Sequence, residues 1–151
     1  LYLAVVVDAW SRRVVGWAMS THLHTALVLD ALQMAIQQRR PRSVIHHSDQ
    51  GSQYAAWLHL EPLLALEVTI SMSDTGQPTQ NGLVERFIRT LKEEHVDYTE
   101  YSNFDDAVRQ LRHWLEVEYM TERIHSALDY ATPAEFEALA RVQHSSSLIP
   151  C

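Results

Sequence analysis

The sequence predicts a single α/β domain, and three observations carry that expectation. An apolar, β-branched run opens the chain and returns after a tight connection, as a hairpin does. Helical periodicity then takes over near residue 25, with short strand-like runs around residues 43–47 and 67–71. Helical patterns fill most of the chain beyond residue 82, and strands mixed with helices argue α/β.

Leu1–Asp8 reads L-Y-L-A-V-V-V-D, the composition of a buried strand. Ala9–Arg12 makes a tight connection, and Arg13–Met19 returns as a second strand. From about Thr25 to Arg40 a helix is expected, with Leu27, Val28, Ala31, Leu32, Ala35 and Ile36 forming one stripe. Arg39 and Arg40 suit its C-terminus, and Pro41 stops it. Ser43–His47 forms the third strand, residues 54–65 a short helix disturbed by Pro62, and Glu67–Ser71 a fourth strand. Gly76, Pro78 and Gly82 mark a loop over 73–82. The next helix runs from Gly82 to about Tyr98, with Leu83, Val84, Phe87, Ile88 and Leu91 toward the core. Asp105–Tyr119 is another helix, burying Val108, Leu111, Trp114 and Leu115. A last one begins at Thr132-Pro133, with Thr as cap and Pro first in the helix. The domain is expected over 1–142, with a polar tail over 143–151 that frays around His144–Ser147.

A chain of 151 residues, 46% apolar, suffices for one core. No run reaches the length of a membrane span, and no signal peptide is visible. The only cysteine is Cys151, so a reducing, cytoplasmic setting is expected. The chain begins without Met inside a strand, which suggests a fragment of something longer. A net charge of −7 weighs against a nucleic-acid partner, yet residues 97–151 hold ten acids against four bases. The first 96 residues are nearly neutral, with nine acids and eight bases. Eleven of the twelve bases are Arg, which suits bidentate phosphate contact.

Chemistry concentrates between His46 and Glu85. Asp49 follows the third strand directly, and Glu85 stands near the start of a helix, with 35 residues between them. A strand-end Asp and a helical Glu are hard oxygen donors on rigid elements, the catalytic and metal-binding pair that a divalent-cation site needs. Glu85, Arg89 and Lys92 fall at i, i+4 and i+7, on one outward face. Other readings of these residues are plainer. Asp49 suits a turn cap, Glu85 a solvated helix, and Arg89 with Lys92 an ordinary charged surface. Asp8 reads as a strand-end structural residue near Arg12 and Arg13 rather than a ligand. His46, His47 and Asp49 make a poor zinc set, because adjacent strand histidines face opposite ways. His125 reads as a packing residue. Ser48 and Ser52 lack the elbow and oxyanion loop of a nucleophile.

Three stretches resemble a known family: H-S-D-Q-G-S-Q-Y from His47, S-M-S-D-T-G-Q-P-T-Q-N-G-L-V-E-R-F from Ser71, and R-I-H-S-A-L-D-Y-A-T-P-A-E-F-E from Arg123. Together they are similar to the catalytic core of bacterial insertion-sequence transposases, of the retroviral-integrase type. The resemblance covers roughly residues 1–140. It implies a ribonuclease H-like mixed sheet flanked by helices, and Mg²⁺- or Mn²⁺-dependent cleavage and strand transfer of DNA ends. Two ions about 4 Å apart would be held by Asp49 and Glu85. Gln53, Arg86, Arg89 and Lys92 are the implied DNA-binding residues. Partners would be mobile-element ends and target DNA, in a homodimer or larger synaptic assembly at the bacterial nucleoid, without membrane attachment.

Two departures stand against the family pattern. Its first catalytic Asp belongs to a central strand that would lie upstream of Leu1, so Asp8 does not match it. Met120 and Ile124 replace the usual Asn and Pro. They leave two alternatives: a truncated remnant that only binds DNA or dimerises, and, less favoured, a ribonuclease H-like nuclease.

Overall fold

The computed structural model describes residues 1–41, 43–48, 67–72 and 82–146. The expected helix over 54–65 and most of the expected loop over 73–82 lie outside them. The described fold divides into two compact units, one of Leu1–Val6 with Val15–Glu100, the other of Val7–Val14 with the chain from Tyr101 onward.

In the first unit, β1 (Tyr2–Val7) and β2 (Val14–Ser20) pair as the expected hairpin. So short a connection between neighbours fixes an antiparallel arrangement. α1 (Thr25–Arg39) follows as expected, burying Leu27, Ala31, Leu32 and Ala35 of the predicted stripe. His24 caps it, its Nδ1 accepting from the Leu27 N–H at 3.0 Å. Arg40 ends it in a left-handed conformation, its N–H donating to Ile36 O at 2.7 Å. Leu32 packs against Val6, Leu29 and Ile36. The helix comes down hard on β2 at Gly16, where a Cβ would meet Ala31 O at 2.0 Å. The Trp17 N–H of β2 donates to Met34 Sδ of α1 at 3.4 Å.

β3 (Ser43–Ser48) and β4 (Glu67–Met72) pair in parallel, Ser43 opposite Glu67 and Ser48 opposite Met72. Among the described residues the four strands therefore form two separate two-stranded sheets. The expectation that β1 is buried is corrected: Tyr2 is exposed and residues 3–7 are only half-buried. On β3, Val44 and Ile45 are 40% and 71% exposed. Strands apolar on both faces suit the middle of a sheet, and each of these has a single described neighbour.

α2 (Gly82–Glu94) stops four residues before the expected end. A turn at His95 and a 3₁₀ turn over Val96–Tyr98 replace the last helical turn. The β-branched Val96 and Thr99 disfavour helix there, and the Thr99 hydroxyl donates to the His95 carbonyl at 2.6 Å.

In the second unit, α3 (Phe104–His113) is capped by Asn103, whose Oδ1 accepts from the Asp106 N–H. It passes into a π-helical segment, Trp114–Glu122, in place of the α-helix expected to Tyr119. The wider winding brings residues five apart onto one face. It buries Trp114 with Tyr119 and Leu115 with Met120, the first pair of rings 5.3 Å apart. Beyond it His125 stands edge-on to Tyr119 at 5.1 Å, the packing role expected for it.

α4 (Pro133–Ser146) opens with a reciprocal cap: Glu135 N–H donates to Thr132 Oγ1, and Thr132 N–H to Glu135 Oε2. It continues to Ser146, through most of the stretch expected to fray. The hairpin turn packs on this helix. Trp10 meets Phe136 edge-on at 5.0 Å, and Arg13 reaches the buried Glu137 at 3.0 Å.

Candidate active site

α2 carries the described part of the candidate site. Its apolar residues Phe87 and Leu91 are buried, and this fixes which face turns outward. Glu85 lies in the first turn and Lys92 in the last, each favourable to the helix dipole. Glu85, Arg89 and Lys92 are all exposed and line one open groove of about 590 Å³. At 1.5 Å per residue they span roughly 10 Å of the helix axis.

Val84 and Ile88, expected in the core, are only half-buried and belong to the groove lining. At 3.6 residues per turn Ile88 sits at the border of the apolar stripe, next to the face of Glu85 and Lys92. Glu93 and Asp97 complete the lining and were not singled out from sequence. Glu93 belongs to the last turn of the same helix, so its membership was legible. Asp97 lies in the 3₁₀ turn after α2, four residues beyond Glu93, a spacing that keeps it near that side of the helix. Arg86 is exposed on α2 but is not part of the lining.

Asp49 and Gln53 lie outside the described residues, and so does Ser52. β3 ends at Ser48, at the carboxyl end of a parallel pair. In α/β sheets that is the end where ligands gather. The side chains of His46, His47 and Ser48 are likewise outside what is described.

Asp8 has structural partners. Its Oδ1 accepts from the N–H groups of Trp10 at 2.9 Å and Ser11 at 3.2 Å, closing the hairpin turn. Of the two arginines expected near it, Arg13 pairs with Glu137, and the Arg12 N–H donates to the Asp8 carbonyl at 2.8 Å. Among the described residues no group of three or more His, Cys, Asp or Glu side chains is placed to hold a metal ion.

Residues 1–78 match the integrase core domain family, and residues 66–133 match a second family of the same description. The chain belongs to the integrase core domain family. Curated relatives agree with that membership. This integrase core domain is 38% identical over 138 residues to the transposase for insertion sequence element IS904 of Lactococcus lactis. The match covers 91% of this chain and 54% of that protein. It is also 38% identical over 138 residues to the transposase InsF for insertion sequence IS3A of Escherichia coli K12, covering 91% of this chain and 48% of the other. The integrase core domain described here thus spans about half the length of the curated relatives it matches. No described helix is long and apolar enough to cross a membrane.

Proposed function

We propose that this integrase core domain is the catalytic core of an insertion-sequence transposase, cleaving DNA ends and joining them to target DNA with Mg²⁺ or Mn²⁺. The observation that carries the reading is the groove on α2. It aligns a carboxylate at Glu85 with cations at Arg89 and Lys92 in a chain of this family. Asp49 and Glu85 are the assigned metal-binding pair. The Glu85 carboxylate is a hard oxygen donor, exposed in an open groove, and fits such an ion. When bound, Mg²⁺ supplies charge stabilisation at the phosphodiester and a water or 3′-hydroxyl ready to attack.

The chain's own residues hold the DNA. Arg89 and Lys92 neutralise phosphates one and two helical turns beyond Glu85, while Arg86 and Gln53 contact DNA beside them. Residues 1–142 would act as the core and 143–151 as its tail. A ribonuclease H-like sheet fits the fold, with a further strand between the two described sheets. The under-buried β1 and β3 support that arrangement. Bringing two DNA ends together would require a homodimer or larger assembly.

The test uses a protein of the relatives' full length. Glu85→Gln and Asp49→Asn should each lower strand transfer on element-end DNA at least about a hundredfold, with circular dichroism unchanged. A Glu85→Gln protein that transfers strands at the unsubstituted rate would refute the assignment.

A further inference from the structure

The α2 groove holds two carboxylates that the reaction proposed above does not use. Glu93 occupies the last turn of α2, and Asp97 the 3₁₀ turn that follows; both are exposed. They line the same groove as Glu85, Arg89 and Lys92, together with the half-buried Val84 and Ile88. In chain order the groove presents a carboxylate, two cations and two carboxylates, with about 12 Å of helix axis from Glu85 to Glu93 and Asp97 in the turn beyond. These acids do not make a cation site, since no three such side chains among the described residues come together around one.

That order constrains any nucleic acid lying in the groove. A DNA strand presents anions along its backbone and hydrogen-bond donors on its base edges. Arg89 and Lys92 attract phosphate, whereas Glu93 and Asp97, within a turn or so of Lys92, repel it. A strand held at the cations therefore meets the acidic end favourably only by offering base donors there. In the major groove adenine's N6 donor stands beside its N7 acceptor, which repels a carboxylate. Cytosine offers its N4 amine without an acceptor of its own beside it, and thymine presents its O4 acceptor at the same place. At roughly 3.4 Å per nucleotide step, a strand running along α2 puts Glu93 about three to four steps from a phosphodiester beside Glu85, and Asp97 about one step further.

We propose that Glu93 and Asp97 are specificity residues, accepting hydrogen bonds from cytosine three to five nucleotides from the reacting bond. Val84 and Ile88 supply apolar contact to the sugar or base between. The inference rests on the reading of this groove as the DNA track.

Fluorescence anisotropy tests it with a protein of the relatives' full length. The probes are duplex ends that differ only in carrying cytosine or thymine at the third to fifth positions on either side of the reacting bond. The unsubstituted protein should favour the cytosine duplexes roughly tenfold. In Glu93→Gln/Asp97→Asn the preference should fall to about twofold or less, with total affinity unchanged or higher because two repulsive charges are gone. Arg89→Ala/Lys92→Ala should weaken both duplexes alike and flatten the salt dependence. Equal binding of both duplexes by the unsubstituted protein overturns the specificity role and leaves the DNA track standing. A preference that survives the double substitution also overturns it. If Arg89→Ala/Lys92→Ala binds as well as the unsubstituted protein, or if neither duplex binds, the track itself fails and the inference with it.

Discussion

Two glycines separate close packing from open space. At Gly16 an added Cβ would lie 2.0 Å from Ala31 O and 2.9 Å from both Ala35 N and Ala35 Cβ. Two of those atoms are backbone, so α1 itself would have to lift from β2. At Gly82, the start of α2, an added Cβ would meet nothing within 4 Å among the described residues. Gly16→Ala should therefore cost about 3 kcal/mol, the upper end for overpacking. Gly82→Ala should change stability by less than about 1 kcal/mol, with the sign favouring alanine in a helix. Denaturant midpoints of the two variants measure this directly. A Gly16→Ala protein as stable as Gly82→Ala would mean that the helix approach is looser than described. Asp8 teaches a related lesson in chemistry. A strand-end Asp in sequence is ambiguous between ligand and turn, and its two short bonds to Trp10 and Ser11 N–H assign it to the turn.

The second unit draws its helix starts from carboxylates. Glu135 is held below the usual carboxylate range first by the Thr132 N–H and then by the Thr132 hydroxyl. Asp106 is held low by the Ser102 N–H and then by Arg109. A depressed folded pKa gives stability that is present above the unfolded value, about 4, and lost as pH falls through the folded value. The second unit should thus lose stability on acidification from about pH 5 downward. Glu135→Gln should flatten that acid limb while lowering stability at pH 7, as read from thermal unfolding at several pH values; an acid limb unchanged in Glu135→Gln would remove the cap from the account. Thr132-Pro133 was legible because cap and first-turn residues act locally, within a few residues of chain. α1 was legible for the same reason, its stripe repeating at 3.6 residues. The π-helical segment was not, because α-periodicity accommodates Leu111, Trp114 and Leu115 equally well. Only the pairs Trp114/Tyr119 and Leu115/Met120, five apart, hint at wider winding. That Glu85, Arg89 and Lys92 share one face of α2 was legible from helical spacing. Asp97 was not singled out, although it follows Glu85, Arg89 and Glu93 at four-residue spacing.

At the scale of the whole molecule the sheets leave the largest discrepancy between composition and burial. A two-stranded parallel pair such as β3–β4 is not expected to persist in water by itself, and parallel strands are usually covered on both faces. Yet Ile45 is 71% exposed, and β1, an almost uninterrupted apolar run, has no fully buried residue. Under the proposed ribonuclease H-like arrangement a further strand would pair with both β1 and β3, and helices would cover their apolar faces. Among the described residues each has one unpaired edge, and such an edge is a template for pairing with other chains. The 151-residue chain alone should accordingly associate with rising concentration and show no strand transfer with Mg²⁺. Backbone amides of β1 and β3 should exchange rapidly in it, and at least about tenfold more slowly in a protein extended to the relatives' length. Hydrogen exchange followed by mass spectrometry reads both strands in one experiment. Equal protection of β1 and β3 in the two proteins would show that no added strand is needed. Strand transfer by the short chain would extend that conclusion to the chemistry, and the carboxylates of Asp49 and Glu85 would then have to suffice without a further acidic ligand.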